Sequence, residues 1–452
     1  MLNEENPEQE HPITRTMSTR DHSGVIAELV AGTWCDPGTG MVQRIPINNI
    51  VIADSLEGKE AALVREQHPG KSLMVVSDER TREALGKRVY EALKPGGGVR
   101  EYVWQNPHCT EDGVRELMSD TKDAEVLIAI GSGTLNDSVK YGTFLTGREY
   151  SVFPTSPMNA YTTPTASVSD HGVKKSITCH SAKGVFFDLE ILAKCPKRLV
   201  AAAFADVVCR TTSQVDWLLS HRLLGTTYQD TAYTLLAYDE APMLDRAGQI
   251  AAGDPETLAM LTRSAAIMGL GTSFTGTTHS GSMAEHLISH FIDMFAGKDH
   301  PGTSHGEQVG VATLTMSKLQ NQILAEEEPP LVTATRVPEE ELRVLFGSVA
   351  EKMIEQTKKK ALSASQTEEL NRLLTEKWTE IRAELKAVAL PYDRLFQAMK
   401  AAGCQLFGTD LGLKAEFYQE AVRYARFVRD RYSILDLADD SGRLSGFVEG
   451  GC

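Results

Sequence analysis

The 452-residue chain contains no apolar run approaching the ~20 residues that cross a bilayer, which excludes a membrane-spanning protein as the first reading. Its N-terminus, Met1-Leu2-Asn3-Glu4-Glu5-Asn6-Pro7, is polar and acidic and lacks the basic and apolar stretches of a secretion signal, so a cytoplasmic protein is expected. Seven cysteines are an odd number, widely scattered and without any CxxC pair, which argues against a disulfide framework and against a thiolate metal site. Basic residues are outnumbered 46 to 61, for a net charge of -15, and the lysine-bearing stretches have helical character, so nucleic acid is not an expected partner. What remains is an ordinary globular composition, 42% hydrophobic, long enough for two domains.

Residues 1–22 have no periodicity and read as a flexible tail. From 23 to 194 apolar runs alternate with helical spacing. Asn49–Ala53, Ser72–Asp78 and Glu125–Ile130 read as buried strands, and Gly58–Gln67 and Thr81–Leu93 as helices. Such alternation predicts an α/β domain on a parallel sheet. From 195 to 452 helical periodicity dominates. The charged stretch 338–390, with Lys358-Lys359-Lys360, reads as a pair of solvated amphipathic helices, and Pro329-Pro330 and Pro391 mark turns.

Three imidazoles gather in the helical half. His286 and His290 are four residues apart with helical apolar spacing around them, hence on one helix face, and His305 follows a Gly/Pro-bearing loop that can turn the chain back. Taken alone, two such histidines are better explained as a surface or core pair. The HExxH protease signature is absent, because Leu287 stands where its glutamate belongs. Asp206 is the sole charge in the apolar run Leu199–Cys209. A carboxylate buried there needs a partner, and an Asp with two His leaves a divalent ion an open position for catalysis. The alternative is that Asp206 N-caps a helix starting at Val207.

The third strand runs into Gly131-Ser132-Gly133-Thr134-Leu135-Asn136-Asp137, where glycines let backbone N–H groups approach a phosphate at a helix N-terminus. Two glycines in a strand-to-helix turn also occur for geometry alone. Asp78, just after a neighbouring strand, is placed to accept hydrogen bonds from a ribose, or to cap the helix ahead of Thr81. Together they favour a dinucleotide. The stiff polar stretch Phe153–Pro164, with Thr155, Asn159 and Thr163, could line the cleft between this side and the histidines, or be a plain turn.

In combination these residues resemble the iron-containing alcohol dehydrogenase superfamily and, within it, the glycerol-1-phosphate dehydrogenases. The matching pieces run from about 45 to 435: Gly131-Ser132-Gly133 with Asn136-Asp137, Pro154-Thr155, Gly172-Val173-Lys174, Ala205-Asp206 with Asp216-Trp217, Glu285-His286-Leu287-Ile288-Ser289-His290, His305-Gly306-Glu307-Gln308-Val309-Gly310, and Arg429-Asp430-Arg431-Tyr432. The resemblance implies a dehydroquinate-synthase-like architecture, with a dinucleotide-binding α/β domain, an all-helical metal domain and the active site between them. It implies Asp206, His286 and His305 as ligands of one zinc, nickel or iron ion, and His290 as a non-ligand active-site histidine that relays the proton. It further implies Asp78, Gly131, Ser132, Gly133, Asp137, Thr155 and Thr163 as holding NAD or NADP, and a homodimer or larger assembly.

The expected activity is hydride transfer between NAD(P)H and dihydroxyacetone phosphate or glycerol-1-phosphate, with Lys174 or Lys175 meeting the phosphate as point charges unless they form an exposed basic turn. One departure stands out. Where the family has Met-Asp-Gly, this chain has Met158-Asn159-Ala160, with one residue fewer before it. Asn159 can hydrogen-bond a substrate hydroxyl or the nicotinamide amide but cannot act as a base. A glycerol-type polyol dehydrogenase, a 3-dehydroquinate-synthase-like lyase and a non-catalytic nucleotide or sugar-phosphate binder are therefore alternatives.

Overall fold

The structure, a computed structural model, describes residues 20–170 and 173–451. Most of the expected tail, residues 1–19, lies outside the described residues. Asp21 already bridges to Ala53, and the His22 amide donates to the Ile52 carbonyl, so the chain is tied to the first strand from that point.

Six strands form one parallel sheet: β1 (Asn49–Ala53), β2 (Leu73–Asp78), β3 (Val99–Trp104), β4 (Val126–Gly131), β5 (Glu149–Pro154) and β8 (Gly184–Asp188), in the order β1-β8-β5-β4-β2-β3. The strands β6 (Thr165–Asp170) and β7 (Val173–Thr178) form a separate antiparallel hairpin. β4 and β8 are buried along their whole length, as expected of strands covered by helices on both faces. The expected strands and helices of this domain lie within a residue or two of the observed ones, the helix Glu60–Gln67 included.

Beyond Leu189 every regular element among the described residues is helical. No described helix is long and apolar enough to cross a membrane. The stretch 338–390 departs from expectation. It forms three α-helices, Glu339–Phe346, Ala350–Lys360 and Ala364–Val388, and they are not merely solvated. Leu342, Phe346, Ile354, Leu374, Trp378 and Ile381 recur at helical spacing and bury one face of each in the second hydrophobic core. Lys360 is itself buried, against Asp436 at 2.8 Å.

Two close approaches fix the site. The helix His305–Ala325 lies against the alanine-rich helix Lys197–Val208 through Gly306 and Gly310, where a Cβ would come within 2.2 Å of the Ala202 carbonyl oxygen and 2.6 Å of the Ala205 Cβ. Small residues on both helices let the backbones meet. Likewise the loop after β5 rests on Gly269 of the helix Pro255–Thr275, where a Cβ would come within 2.3 Å of the Asn159 carbonyl oxygen. Thr162 Oγ1 pins that loop by donating to the Ala266 carbonyl at 2.7 Å.

Candidate functional site

Asp206 sits in the last turn of the helix Lys197–Val208, ahead of the helix Arg210–Leu224. It therefore does not N-cap a helix starting at Val207, because the helix carrying it began nine residues earlier, at Lys197. Its carboxylate is buried, with Oδ1 3.7 Å from His286 Nε2.

His286 lies in the first turn of the helix Ala284–Phe295. The start of that helix is held by Asp216, whose Oδ2 accepts from the Ala284 amide at 3.3 Å while Oδ1 accepts from Gln320 Nε2 at 2.9 Å and the Ile434 amide at 3.2 Å. His305 is the first residue of its helix, behind a capping box in which Glu307 Oε2 takes the Ser304 amide at 2.7 Å. Arg198 Nη2 donates to the same oxygen at 2.9 Å and ties this turn to the Asp206 helix.

The three imidazoles converge. The His286 and His305 rings are 5.0 Å apart, His286 and His290 6.4 Å, and His290 and His305 6.1 Å. His286 is buried, whereas His290 and His305 are both half-buried. Cys209 joins the buried group, its Sγ within 4.8 Å of the nearest ligand atoms of Asp206 and His286. Burial, then Glu285 and Asp206, pushes its thiol well above the ordinary range, and a protonated thiol is a poor metal ligand.

Sequence reasoning missed Glu285 and Ser289, both fully buried. Glu285 Oε1 accepts from His286 Nδ1 at 2.9 Å and from the Met283 amide at 2.6 Å. Ser289 Oγ lies 3.1 Å from His305 Nδ1. The available signal was a charge and a hydroxyl at inward positions of an apolar helix.

On the sheet side, Gly131 ends β4, and Ser132 precedes the helix Gly133–Thr146 without any side-chain cap. The Thr155 amide donates to the Gly131 carbonyl at 3.2 Å, so Thr155 and the glycine turn are neighbours. Asp78 forms a capping box with Thr81, Oδ1 accepting from the Thr81 amide at 2.8 Å, which is the capping alternative. Asp137 does not face an open cleft. Its Oδ1 accepts from Lys140 Nζ at 3.0 Å and its Oδ2 from the Ser167 amide at 3.0 Å. Lys140, fully buried and also missed from sequence, donates in addition to the Ala160 and Thr165 carbonyls at 2.8 and 2.9 Å. Thr163 Oγ1 accepts from the Thr165 amide at 3.2 Å within the same loop.

Asn159 faces the ligand group. Its Nδ2 donates to Asp206 Oδ2 at 2.9 Å, which turns the amide toward that carboxylate. β7 lies against the helix Ala284–Phe295, with Lys175 half-buried on it; the side chain of Lys174 lies outside the described residues.

The family described as iron-containing alcohol dehydrogenase matches residues 51–196. A glycerol-1-phosphate dehydrogenase [NAD(P)+] of Methanothermobacter thermautotrophicus is 30% identical over 247 residues, covering 54% of this chain and 70% of the relative. The chain belongs to the glycerol-1-phosphate dehydrogenase family. A Bacillus licheniformis relative of the same name is 25% identical over 425 residues, 92% of this chain and 94% of its own. Among solved structures, glycerol dehydrogenase from Schizosaccharomyces pombe superposes with a TM-score of 0.59 at 14% identity, covering 90% of this chain and 91% of that one, a likeness of fold.

As a member of that family of iron-containing alcohol dehydrogenases, the chain is an NAD(P)-dependent oxidoreductase. Burial, then Arg431, holds His279 down to about 4, so this imidazole, which packs on Trp217, is neutral at neutral pH. Burial and then Glu285 push Asp216 up to about 8, against the three hydrogen-bond donors that favour its charge.

Proposed function

We propose that the chain interconverts dihydroxyacetone phosphate and glycerol-1-phosphate with NAD(P)(H), using one divalent ion held by Asp206, His286 and His305. The observation that carries this is the meeting of a buried carboxylate and two imidazoles from three different helices, with Nδ1 of each imidazole hydrogen-bonded away from the group. Two nitrogen donors and one oxygen donor fit zinc, nickel or iron and do not choose among them.

When bound, the ion supplies Lewis-acid polarisation of the substrate oxygen, and the nicotinamide supplies or accepts the hydride. The chain's own residues do the rest. The backbone N–H groups of Gly131, Ser132 and Gly133, at the start of the helix Gly133–Thr146 and with Thr155 beside them, would hold the dinucleotide phosphates. His290, half-buried beside His286 and His305, moves a proton between the substrate hydroxyl and solvent, a task suited to an imidazole. Lys175, half-buried on the strand that packs against the histidine helix, would meet a substrate phosphate, with Lys174 the alternative that the sequence offers. Asn159 acts on Asp206 and leaves base chemistry to His290.

The test is NAD(P)H oxidation with dihydroxyacetone phosphate against unphosphorylated dihydroxyacetone, alongside metal analysis of wild type and His286→Ala. The expected result is turnover favouring the phosphate ester and loss of both metal and turnover in the variant. A wild type that binds no metal, or an unaffected variant, refutes the assignment. Preference for the unphosphorylated ketone refutes the phosphate role of the lysines. The accompanying expectation of a homodimer is checked by light scattering.

A further inference from the structure

Each proposed ligand is gripped by a second side chain on the atom that does not face its neighbours. His286 Nδ1 lies 2.9 Å from Glu285 Oε1. The same oxygen accepts the Met283 amide at 2.6 Å, so it serves as an acceptor at this corner. The imidazole is thus the donor, its proton is on Nδ1, and the lone pair is on Nε2, the atom aimed at Asp206.

The His305 side is decided by a longer chain. Asp293 Oδ1 can only accept, so the Gln308 group 3.0 Å from it is the amide nitrogen, and the amide oxygen of Gln308 faces Ser289. Ser289 has one hydroxyl proton and donates it to Gln308 Oε1 at 2.8 Å. Toward His305 Nδ1 the hydroxyl is therefore an acceptor, the His305 proton is also on Nδ1, and Nε2 again carries the lone pair. Asp206 completes the set, since Oδ2 is held by Asn159 Nδ2 at 2.9 Å and Oδ1 is turned to His286.

We propose that Glu285 and the Ser289–Gln308–Asp293 chain are positioning residues that lock both ligand imidazoles in the Nδ1–H tautomer before the ion arrives, with Asn159 fixing the carboxylate. This rests on the metal assignment above. A partner of this kind raises ligand basicity and fixes ring orientation, and its removal typically costs 10–100-fold in metal affinity. Glu285 adds a negative charge to the effect, whereas Ser289 is neutral. Glu285→Gln can keep its oxygen toward His286 and turn its nitrogen to the Thr212 hydroxyl, so it removes charge while keeping the contact.

Two measurements test the idea. The first is the tautomer in metal-free wild type, read from 15N shifts of labelled histidine with His286→Ala and His305→Ala supplying assignments; both residues are expected as Nδ1–H, and an Nε2–H tautomer at either overturns the lock. The second is Zn2+ affinity by chelator competition in wild type, Glu285→Gln, Glu285→Ala and Ser289→Ala, with metal-free melting recorded in parallel. Expected losses are about tenfold for Glu285→Gln and Ser289→Ala and toward a hundredfold for Glu285→Ala. If melting falls while Zn2+ affinity stays within about threefold, the residues are structural and the proposal fails. Wild type without measurable affinity for Zn2+, Ni2+ or Fe2+ overturns the metal assignment, while a weakened variant beside a tight wild type supports both.

Discussion

Gly306→Ala isolates the helix contact on which His305 depends. The added Cβ would lie 2.2 Å from the Ala202 carbonyl oxygen and 2.8 Å from its carbon. Carbon–oxygen contacts settle near 3.3–3.6 Å, so the two helices must part by roughly 1 Å. Because the obstacle is backbone, no rotamer change relieves it, and overpacking of this kind costs about 1–3 kcal/mol. His305 is the preceding residue and moves with the helix. A displacement near 1 Å at a catalytic group can cost on the order of 100-fold in rate. The assay is urea unfolding with bound-metal content and kcat/KM for NAD(P)H oxidation. Gly446→Ala is the control: a Cβ there meets nothing within 4 Å, and the residue lies in the helix Leu444–Glu449, so stability should rise by roughly 0.5–1 kcal/mol with activity unchanged. Gly306→Ala with wild-type stability and full metal content would refute the packing argument.

Lys140→Met removes three hydrogen bonds and strands the Asp137 carboxylate in the interior, so a loss of about 3–5 kcal/mol in unfolding free energy is expected, with weaker NADH binding by fluorescence titration because the Thr155–Thr163 loop loses its brace. A loss below ~1 kcal/mol contradicts that role. His279 sets a pH dependence. Above its unfolded value of 6.5 it is neutral in both states, whereas below it the unfolded chain takes a proton that the folded one refuses until about 4, so stability is lost as pH falls through that window. The ceiling is about 3 kcal/mol, less because the ring is partly exposed. His68 and His180, both depressed chiefly by burial, act in the same direction. Unfolding free energies at pH 7.5 and 5 should differ accordingly, and His279→Asn should flatten the difference; equal wild-type values at the two pH values would contradict it.

The parts legible in the sequence were those set by local pattern. β1, β2 and β4 are near-continuous apolar runs, and Asp206 stands out as a lone charge among alanines. β3 and β5 were not readable, because Arg100-Glu101 and Glu149 interrupt the apolar signal at the sheet's edge and end. β8 pairs with β1 across more than a hundred residues, a register that no window of sequence contains. The helix end at Val208 was hidden too: nothing in Asp206-Val207-Val208-Cys209 separates a cap from a last turn, so the cap stayed open until the helix start at Lys197 was seen. Gly269, Gly306 and Gly310 look like helix-weakening residues in isolation. Their use appears only beside Asn159, Ala202 and Ala205, and they carry the placement of half the site.

One segment touches both halves of the enzyme. The loop Thr155–Thr163 meets Gly131 through the Thr155 amide, meets the helix Gly133–Thr146 through Asn136 and Lys140 at the Ala160 carbonyl, rests on Gly269, and reaches Asp206 through Asn159. A dinucleotide bound at the glycine turn and an ion bound at Asp206 would both order this loop, so each should favour the other. Couplings of this type amount to about 1–3 kcal/mol, or 5–150-fold in affinity, and they are reciprocal. Zn2+ competition with and without saturating NADH should therefore show tighter metal binding with cofactor, and NADH titration with and without Zn2+ should show the same factor. Asn159→Ala cuts the link to Asp206 while leaving the Lys140 brace in place, so it should reduce the coupling more than it reduces NADH affinity alone. Metal affinity indifferent to NADH in the wild type would mean that the loop is a passive wall, and that the Asn159–Asp206 contact serves the carboxylate only.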